Sequence, residues 1–120
     1  QDSNNVVAAN NLGWLIQDSD PKRAVSILLR AEKLSPSSAD IADTAGWVML
    51  RQKDPAGALK HLERAHALRP GDQQITYHYA AALSANAKRD QARGILKTLL
   101  AKNVRNDVRA DAQKLYDSLR

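Results

Sequence analysis

Apolar residues follow a helical spacing from the start of the chain, and the helices they predict come in pairs. The first stripe, at about residues 4–17, consists of Ala9, Leu12, Gly13 and Ile16. The second, at residues 21–34, consists of Ala24, Val25, Leu28, Ala31 and Leu34, all expected to point inward. Spacings of three, four and seven place such residues on one helix face. Asp20 is positioned to cap the second helix and Pro21 to begin it, so a short turn joins the two helices.

The helix pair recurs at a fixed step of 34 residues. Six positions of the second helix and its exit are Pro21, Ala24, Leu28, Ala31, Leu34 and Pro36, and they recur as Pro55, Ala58, Leu62, Ala65, Leu68 and Pro70. A weaker third copy has Ala80, Ala92 and Leu96 where the second has Gly46, Ala58 and Leu62. A fixed period of about 20 to 50 residues marks stacked units that bury their apolar faces on one another. The predicted fold class is all-α, an α-α superhelix of three helix-turn-helix repeats with a C-terminal capping helix.

We expect one domain over residues 1–120, with repeats at about residues 4–36, 38–70 and 72–104 and a capping helix at 106–119. The last helix has the single apolar stripe that a terminal cap requires, formed by Val108, Ala112, Leu115 and Leu119. No matching cap precedes the first helix, so Val6 and Val7 are expected to lie bare. We therefore expect the chain to be the C-terminal part of a longer repeat protein, or to meet another chain at that end.

Gly46 lies in the middle of a predicted helix, where glycine costs about 1 kcal/mol relative to alanine. We infer that it faces Ala58 on the following helix and lets the two backbones approach closely. The matching glycine of the first repeat is Gly13, which lies one residue nearer to its following proline. The first turn is therefore expected to be one residue shorter than the second.

Composition excludes several classes of protein. Of the 120 residues, 43% are hydrophobic, 26% are charged and 4% are aromatic, with no Phe and no Cys. This is a globular composition that favours close-packed helices over sheet, and it excludes disulfides and thiolate chemistry. No run of sequence approaches the roughly 20 apolar residues that a membrane-spanning helix needs.

The net charge of +5 is concentrated at the C-terminal end. Residues 87–120 carry nine basic against four acidic side chains, whereas residues 1–86 carry nine of each. A basic end can attract nucleic acid, anionic lipid or acidic protein, but charged residues also solvate ordinary helix surfaces. Binding of nucleic acid or anionic lipid is therefore an alternative function and not the principal prediction.

The repeated positions resemble those of the tetratricopeptide repeat (TPR) family. Its units carry a small residue in the first helix, an early alanine, a large apolar residue and another alanine in the second helix, and an exit proline. The first two units match throughout, with Gly13, Ala24, Leu28, Ala31 and Pro36 and then Gly46, Ala58, Leu62, Ala65 and Pro70. The third departs, since Leu99 and Val104 replace the second alanine and the proline. The resemblance implies a non-enzymatic TPR solenoid that serves as a protein-interaction scaffold.

Three strings are similar to the C-terminal repeats of bacterial TPR lipoproteins of the PEP-CTERM/exosortase system. They are NNLGWL at residues 10–15, ADTAGW at 42–47 and ITYHYA at 75–80. This resemblance implies a place in an envelope assembly for exopolysaccharide or protein export. It also implies an extracytoplasmic location, in the periplasm or tethered to the outer membrane by a lipidated Cys far upstream.

In the TPR family the first helices of successive units line a concave groove, which implies a set of partner-binding residues here. They are Asn10, Trp14, Gln17, Asp43, Trp47, Leu50, Arg51, Gln74 and Tyr77, with Ala81 and Ser84 on the same stripe. Large amphipathic aromatics beside amides and charges suit a peptide or protein ligand. Alternatively, Trp14 and Trp47 wedge between adjacent first helices. The lysines of a two-carboxylate clamp are missing, which argues against a receptor for chaperone tails.

No pattern in the sequence predicts catalysis, a cofactor or a metal site. His61 and His66 lie five residues apart, about 140° around a helix, and so cannot readily share a metal. His78 is remote from both, and no acidic pair, activated nucleophile or phosphate-binding loop occurs. The expected partner is a protein or peptide, and self-association through the uncapped first helix is a further alternative.

Overall fold

Seven helices follow one another through residues 2–120, the part of the chain that the computed structural model describes, with side chains described from Asn5 onward. They are α1 (Asp2–Ile16), α2 (Pro21–Leu34), α3 (Ala39–Arg51), α4 (Pro55–Leu68), α5 (Gln73–Ala85), α6 (Arg89–Leu100) and α7 (Asn106–Ser118). No strand occurs in this range. The predicted all-α architecture of three helix pairs and a C-terminal helix is confirmed.

Four helices begin with a side-chain cap. Asp20 and Asp54 cap α2 and α4, each accepting a hydrogen bond from the backbone N–H three residues later, at 3.4 and 3.1 Å. Ser38 and Asp72 cap α3 and α5 in the same way, at 3.3 and 2.9 Å. These caps satisfy N–H groups that the first turn of a helix leaves unpaired. The predicted start of α2 at Pro21, directly after Asp20, is confirmed.

The turns inside the repeats differ from the expectation. The first turn spans residues 17–20 and the second residues 52–54, so the first is one residue longer and not shorter. In the second and third turns Lys53 and Ala87 adopt left-handed φ angles of 66° and 62°. The next N–H then bonds back to a carbonyl five residues earlier, at 3.0 and 2.9 Å. Residues 17–20 contain no left-handed residue, so α1 ends earlier and its turn takes up the difference.

The first helices of the repeats form an inner row and the second helices an outer row. Within the described range α1 packs on α3, α3 on α5 and α5 on α7, whereas the backbones of α2, α4 and α6 approach only those of their sequence neighbours. Between α2 and α4 the contact is made by long side chains, Glu32 with His61 and Arg64. The inner helices therefore lie closer together than the outer ones. This difference curves the stack, with α1, α3, α5 and α7 on its concave side.

The core runs along the junctions between the two rows. Its largest fully buried side chains are Leu28, Ile41, Val48, Leu62, Ile75, Leu83 and Leu96. Burying one such side chain stabilises the fold by roughly 1.5–3 kcal/mol. Leu34 and Leu68 were expected inside, but each is the last residue of its helix, and they are 66% and 42% exposed. The apolar stripe therefore ends one turn before the helix does.

The first helix is only partly bare. Val6 is buried beside Leu28 and Ile41, whereas Val7 is exposed. The expectation of a bare pair is therefore right for Val7 and wrong for Val6. Neighbouring residues point about 100° apart on a helix, so one of the two meets α2 and α3 while the other faces solvent.

Close helix crossings explain why positions 13 and 46 carry glycine. A β-carbon at Gly46 would lie 2.5 Å from Leu62 Cγ and 3.1 Å from the backbone oxygen of Ala58. A β-carbon at Gly13 would lie 2.6 Å from Leu28 Cγ. The predicted close approach is present at Gly46, and the side chain that requires it is chiefly Leu62.

Candidate partner-binding groove

One cavity of about 200 Å³ lies on the concave side of the stack, and we call it the groove cavity. Its lining comes from α1, α3, α5 and α7 and consists of Trp14, Trp47, Gln74, Tyr77, His78, Asp107, Val108 and Asp111. The structure thus brings together four of the nine residues predicted from the sequence. The other four lining residues are His78 and a group from α7.

Aromatic rings form one side of the groove cavity. Trp47 stacks on His78 with ring centroids 4.0 Å apart and 19° between the planes. Tyr77 is tilted against both rings, at 6.1 Å from Trp47 and 5.7 Å from His78. Trp47 is half-buried and packs against residues of α5, whereas Trp14 is 45% exposed. The two tryptophans therefore differ, since Trp47 holds neighbouring helices together and Trp14 offers a free ring.

Asp43 orients the buried histidine of this cluster. His78 Nδ1 lies 2.7 Å from Asp43 Oδ1, within hydrogen-bonding distance, and His78 is buried. Asp43 was predicted to face a ligand, but its carboxylate is engaged with the imidazole. The two residues are 35 apart in sequence, one repeat plus one position, and no local motif indicates that they meet. The pair fixes the ring against which Trp47 stacks.

Hydrogen bonds near the start of α7 hold this helix against the groove. Gln73 donates from Nε2 to the carbonyl of Asn103 at 3.1 Å, and its Oε1 accepts from the N–H of Arg105 at 3.1 Å. Arg109 donates to the carbonyls of Leu100 and Lys102, at 3.4 and 2.7 Å. Val108 and Ala112 of α7 are buried. The same helix places the exposed Asp107 and Asp111 at the groove cavity.

Asp111 acts electrostatically on Tyr77. Burial raises the pKa of the Tyr77 hydroxyl, and the negative charge of Asp111 raises that pKa further. A carboxylate disfavours a second negative charge in its vicinity. Tyr77 and Asp111 both line the groove cavity, so aromatic rings and carboxylates share its lining.

The remaining predicted groove residues do not line the groove cavity, and most of them contact other residues of the chain. Gln17 is buried, donates to the carbonyl of Trp14 at 3.0 Å and accepts from Arg51 at 2.9 Å. Arg51 also contacts Asp18 at 3.1 Å. Leu50 packs against the buried cluster of Ala58, Leu62 and Ala82. Asn10 does not line the groove cavity, and its buried Oδ1 has no hydrogen-bond partner among the described residues.

Charge is divided between the two rows of helices. The outer helices α2, α4 and α6 carry nine basic against three acidic side chains. The inner helices, counted from Asn5, carry five acidic side chains, Asp40, Asp43, Asp107, Asp111 and Asp117, against three basic ones, Arg51, Arg109 and Lys114. Within residues 87–120, three of the nine basic side chains lie on α6 and two on α7, and the other four lie outside the helices.

The five arginines of the last quarter all contact their own chain. Arg89 and Arg109 donate to backbone carbonyls, Arg105 and Arg120 lie 3.5 and 3.6 Å from aspartates, and Arg93 lies over the Tyr116 ring. These contacts restrain the arginine side chains, and the alternative of nucleic acid or anionic lipid binding stays a prediction.

A second cavity, of about 270 Å³, lies between α4, α5 and α6. Its lining is mostly uncharged and consists of His66, Pro70, Gly71, Gln73, Thr76, Gly94, Ile95, Thr98, Leu99 and Lys102. Burial lowers the pKa of His66, so its imidazole is neutral near pH 7. No sequence motif pointed to this cavity.

From residue 2 to residue 120, no group of three or more His, Cys, Asp or Glu side chains is arranged to hold a metal ion. Over the same range, none of the helices combines the length and apolar character needed to cross a bilayer.

Residues 49–119 match the profile of the tetratricopeptide repeat family. A TPR repeat-containing protein of Pseudomonas aeruginosa is 31% identical over 80 residues, which are 65% of this chain. The chain spans 13% of the length of that curated relative.

Two solved structures share the fold. The first TPR domain of Spaghetti (RPAP3), bound to the HSP90 peptide SRMEEVD, has a TM-score of 0.82 and 16% identity over 98% of this chain and 94% of that chain. The second TPR domain of human RPAP3, in complex with the HSP70 peptide SGPTIEEVD, has a TM-score of 0.81 and 14% identity over 96% and 98% of the two chains. At these identities the likeness concerns the fold alone.

Proposed function

This chain belongs to the tetratricopeptide repeat family, and on that premise we propose that it is a non-enzymatic scaffold that binds a peptide or partner protein in its concave groove. The observation that carries the proposal is the groove cavity, where Trp14, Trp47 and Tyr77 meet around about 200 Å³. Trp and Tyr dominate binding energy at protein interfaces because they bury large areas with few flexible bonds. Peptide complexes of domains with the same fold support this use of the scaffold.

The proposal gives the predicted site residues two roles. Trp14, Trp47, Gln74 and Tyr77 contact the ligand. Asn10, Gln17, Asp43, Leu50 and Arg51 shape the groove from behind or beside it. We assign this site to one domain over residues 1–120, with repeats at about 4–36, 38–70 and 72–104 and a cap at 106–119.

A peptide selection tests the groove. Random peptides displayed on phage are selected on the wild-type chain, and the strongest binder is titrated against Trp14→Ala and Leu15→Ala. We expect Trp14→Ala to weaken binding about tenfold or more, the effect of losing an interface hot spot. Leu15→Ala is the matched control, since Leu15 is 77% exposed and does not line the cavity. Binders indifferent to Trp14→Ala, or no binders at all, would contradict the groove proposal.

Trp47→Ala is the companion variant. We expect it to weaken the same peptide while the helix content measured by circular dichroism is kept. Its melting temperature should fall, because the ring also stacks on His78. Loss of the fold instead would make Trp47 a core residue only.

Self-association through α1 is the second candidate function, favoured by the exposed face of that helix. Leu15 is 77% exposed, whereas Val48, its counterpart in the second repeat, is fully buried against the first repeat. The first repeat therefore carries the apolar surface that a preceding helix pair covers elsewhere. A second copy of the chain or a further repeat could occupy it.

Light scattering across a concentration series tests this candidate. If α1 mediates a dimer, Leu15→Lys should yield a monomer at concentrations where the wild type associates. Leu68→Lys, on α4, is the control, because Leu68 is also exposed but lies away from α1. A wild type that stays monomeric at all concentrations rejects self-association.

We further propose that the chain works in a bacterial envelope assembly for exopolysaccharide or protein export, on the extracytoplasmic side. This proposal rests on the resemblance of residues 10–15, 42–47 and 75–80 to PEP-CTERM/exosortase lipoproteins. The reading frame of the parent gene tests it, since a lipoprotein signal and upstream repeats are expected there. A frame without a signal would refute the envelope location.

A further inference from the structure

The groove cavity combines two features that both attract positive charge. Trp14, Trp47 and Tyr77 present aromatic rings, whose faces attract a cation within about 6 Å. Asp107 and Asp111 lie one helical turn apart on α7 and line the same cavity. Tyr77 and Asp111 both belong to the lining of this cavity, so the carboxylate and the ring face the same space. An ammonium or guanidinium group in this cavity would meet both at once.

No lysine or arginine lines the groove cavity, although the chain carries 18 such residues. The lining imidazole, His78, is bonded to Asp43 at 2.7 Å. Asp107 has Arg105 at 3.5 Å, but these side chains are 76% and 60% exposed, so this pair is screened and weak. Asp111 has no ion-pair partner in the described part of the chain. The negative charge of the cavity is therefore largely uncompensated.

The surrounding charges favour the approach of a basic ligand to this side. The outer helices carry nine basic against three acidic side chains, so positive ligands are repelled from the convex surface. The inner helices carry more acidic than basic side chains. Charge of one sign in a concave site raises the local concentration of oppositely charged ligands.

We propose that the groove cavity binds the cationic side chain of a lysine or arginine in an extended peptide. This inference rests on the proposed function and narrows its partner to a basic segment. Asp107 and Asp111 pair with the cation, while Trp14 and Tyr77 contact its alkyl chain and charged group. Gln74, at the same cavity, bonds to the peptide backbone. Acidic tails such as SRMEEVD would instead meet like charge.

The phage selection described above, analysed for composition, tests this inference. Peptides from the wild-type chain should be enriched in lysine and arginine and depleted in aspartate and glutamate. The strongest peptide is then titrated against the double variant Asp107→Asn/Asp111→Asn, which should bind about tenfold more weakly. Asp117→Asn is the matched control, because it removes a charge from α7 outside the cavity and should leave binding unchanged.

The outcomes separate the two proposals. Trp14-dependent peptides without basic enrichment, or peptides indifferent to the double variant, overturn the cation inference and leave the groove proposal standing. Peptides that do not depend on Trp14 overturn both. Equal weakening by Asp117→Asn would show a diffuse charge effect and would also count against a defined cation site.

Discussion

The two ends of the stack carry similar apolar stripes but bury them to different degrees. At the C-terminal end Val104, Val108, Ala112 and Leu119 are all 5% exposed or less, because α7 covers the third repeat. At the N-terminal end, exposed Val7, Leu12 and Leu15 lie on α1. The first repeat has the surface of an internal repeat, whereas the last has a dedicated cover. Coverage by α7 therefore distinguishes the third repeat from the first.

Equivalent positions of the three repeats differ in exposure. Leu15, Val48 and Ala82 occupy the same place in the three first helices, and only Leu15 is exposed. Val48 and Ala82 are fully buried because each has a helix pair before it. The exposure of Leu15 therefore follows from its position in the first of the described repeats and not from a different kind of helix.

Truncating one leucine at each end of the stack should give the largest difference in the free energy of unfolding. Leu119→Ala is expected to lower the free energy of unfolding by about 2–5 kcal/mol, since Leu119 is buried in the cluster under α7. Leu15→Ala should change it by less than about 0.5 kcal/mol, because the side chain is already in water. Urea unfolding of dilute chains measures both values. A large loss for Leu15→Ala would mean that α1 is covered in solution.

Substituting glycine by alanine should change the stability in opposite directions in the second and third repeats. Gly46→Ala is expected to destabilise by roughly 1–3 kcal/mol, because its β-carbon would overlap the buried Leu62. Gly94→Ala, in the third repeat, should stabilise by up to about 1 kcal/mol, since no atom lies within 4 Å of the added carbon and alanine favours helix. Thermal melts give both shifts. Two shifts of the same sign would be inconsistent with these packing environments.

The sequence predicted the repeat architecture because the helix pattern is periodic and local. Apolar spacing places the helices, and Asp20 with Pro21 marks a start that the structure reproduces. Gly46 predicted a close helix crossing, which the structure contains. Features that recur at a fixed spacing are therefore predictable from the sequence.

The candidate site was only half predictable, for a physical reason. Trp14, Trp47, Gln74 and Tyr77 follow from the inner stripe of each first helix. The position of Asp107 and Asp111 depends on the path of a single loop, which Gln73 sets by bonding to both sides of Val104. The engagement of Asp43 with His78 depends on the relative rotation of α3 and α5. Neither has a repeated pattern in the sequence.

Each turn in the second and third repeats begins with an amide side chain that bonds to the preceding repeat. Gln52 donates to the carbonyl of Pro21 at 3.1 Å, and Asn86 donates to the carbonyl of Pro55 at 2.8 Å. These two hydrogen bonds have the same span of 31 residues, and each joins a repeat to the one before it. When one unit opens, its neighbour loses a partner for a part-buried carbonyl or amide, so adjacent units melt together. The two amides therefore add to the apolar contacts between units, such as those of Val48 with the first repeat, that couple the unfolding of adjacent units.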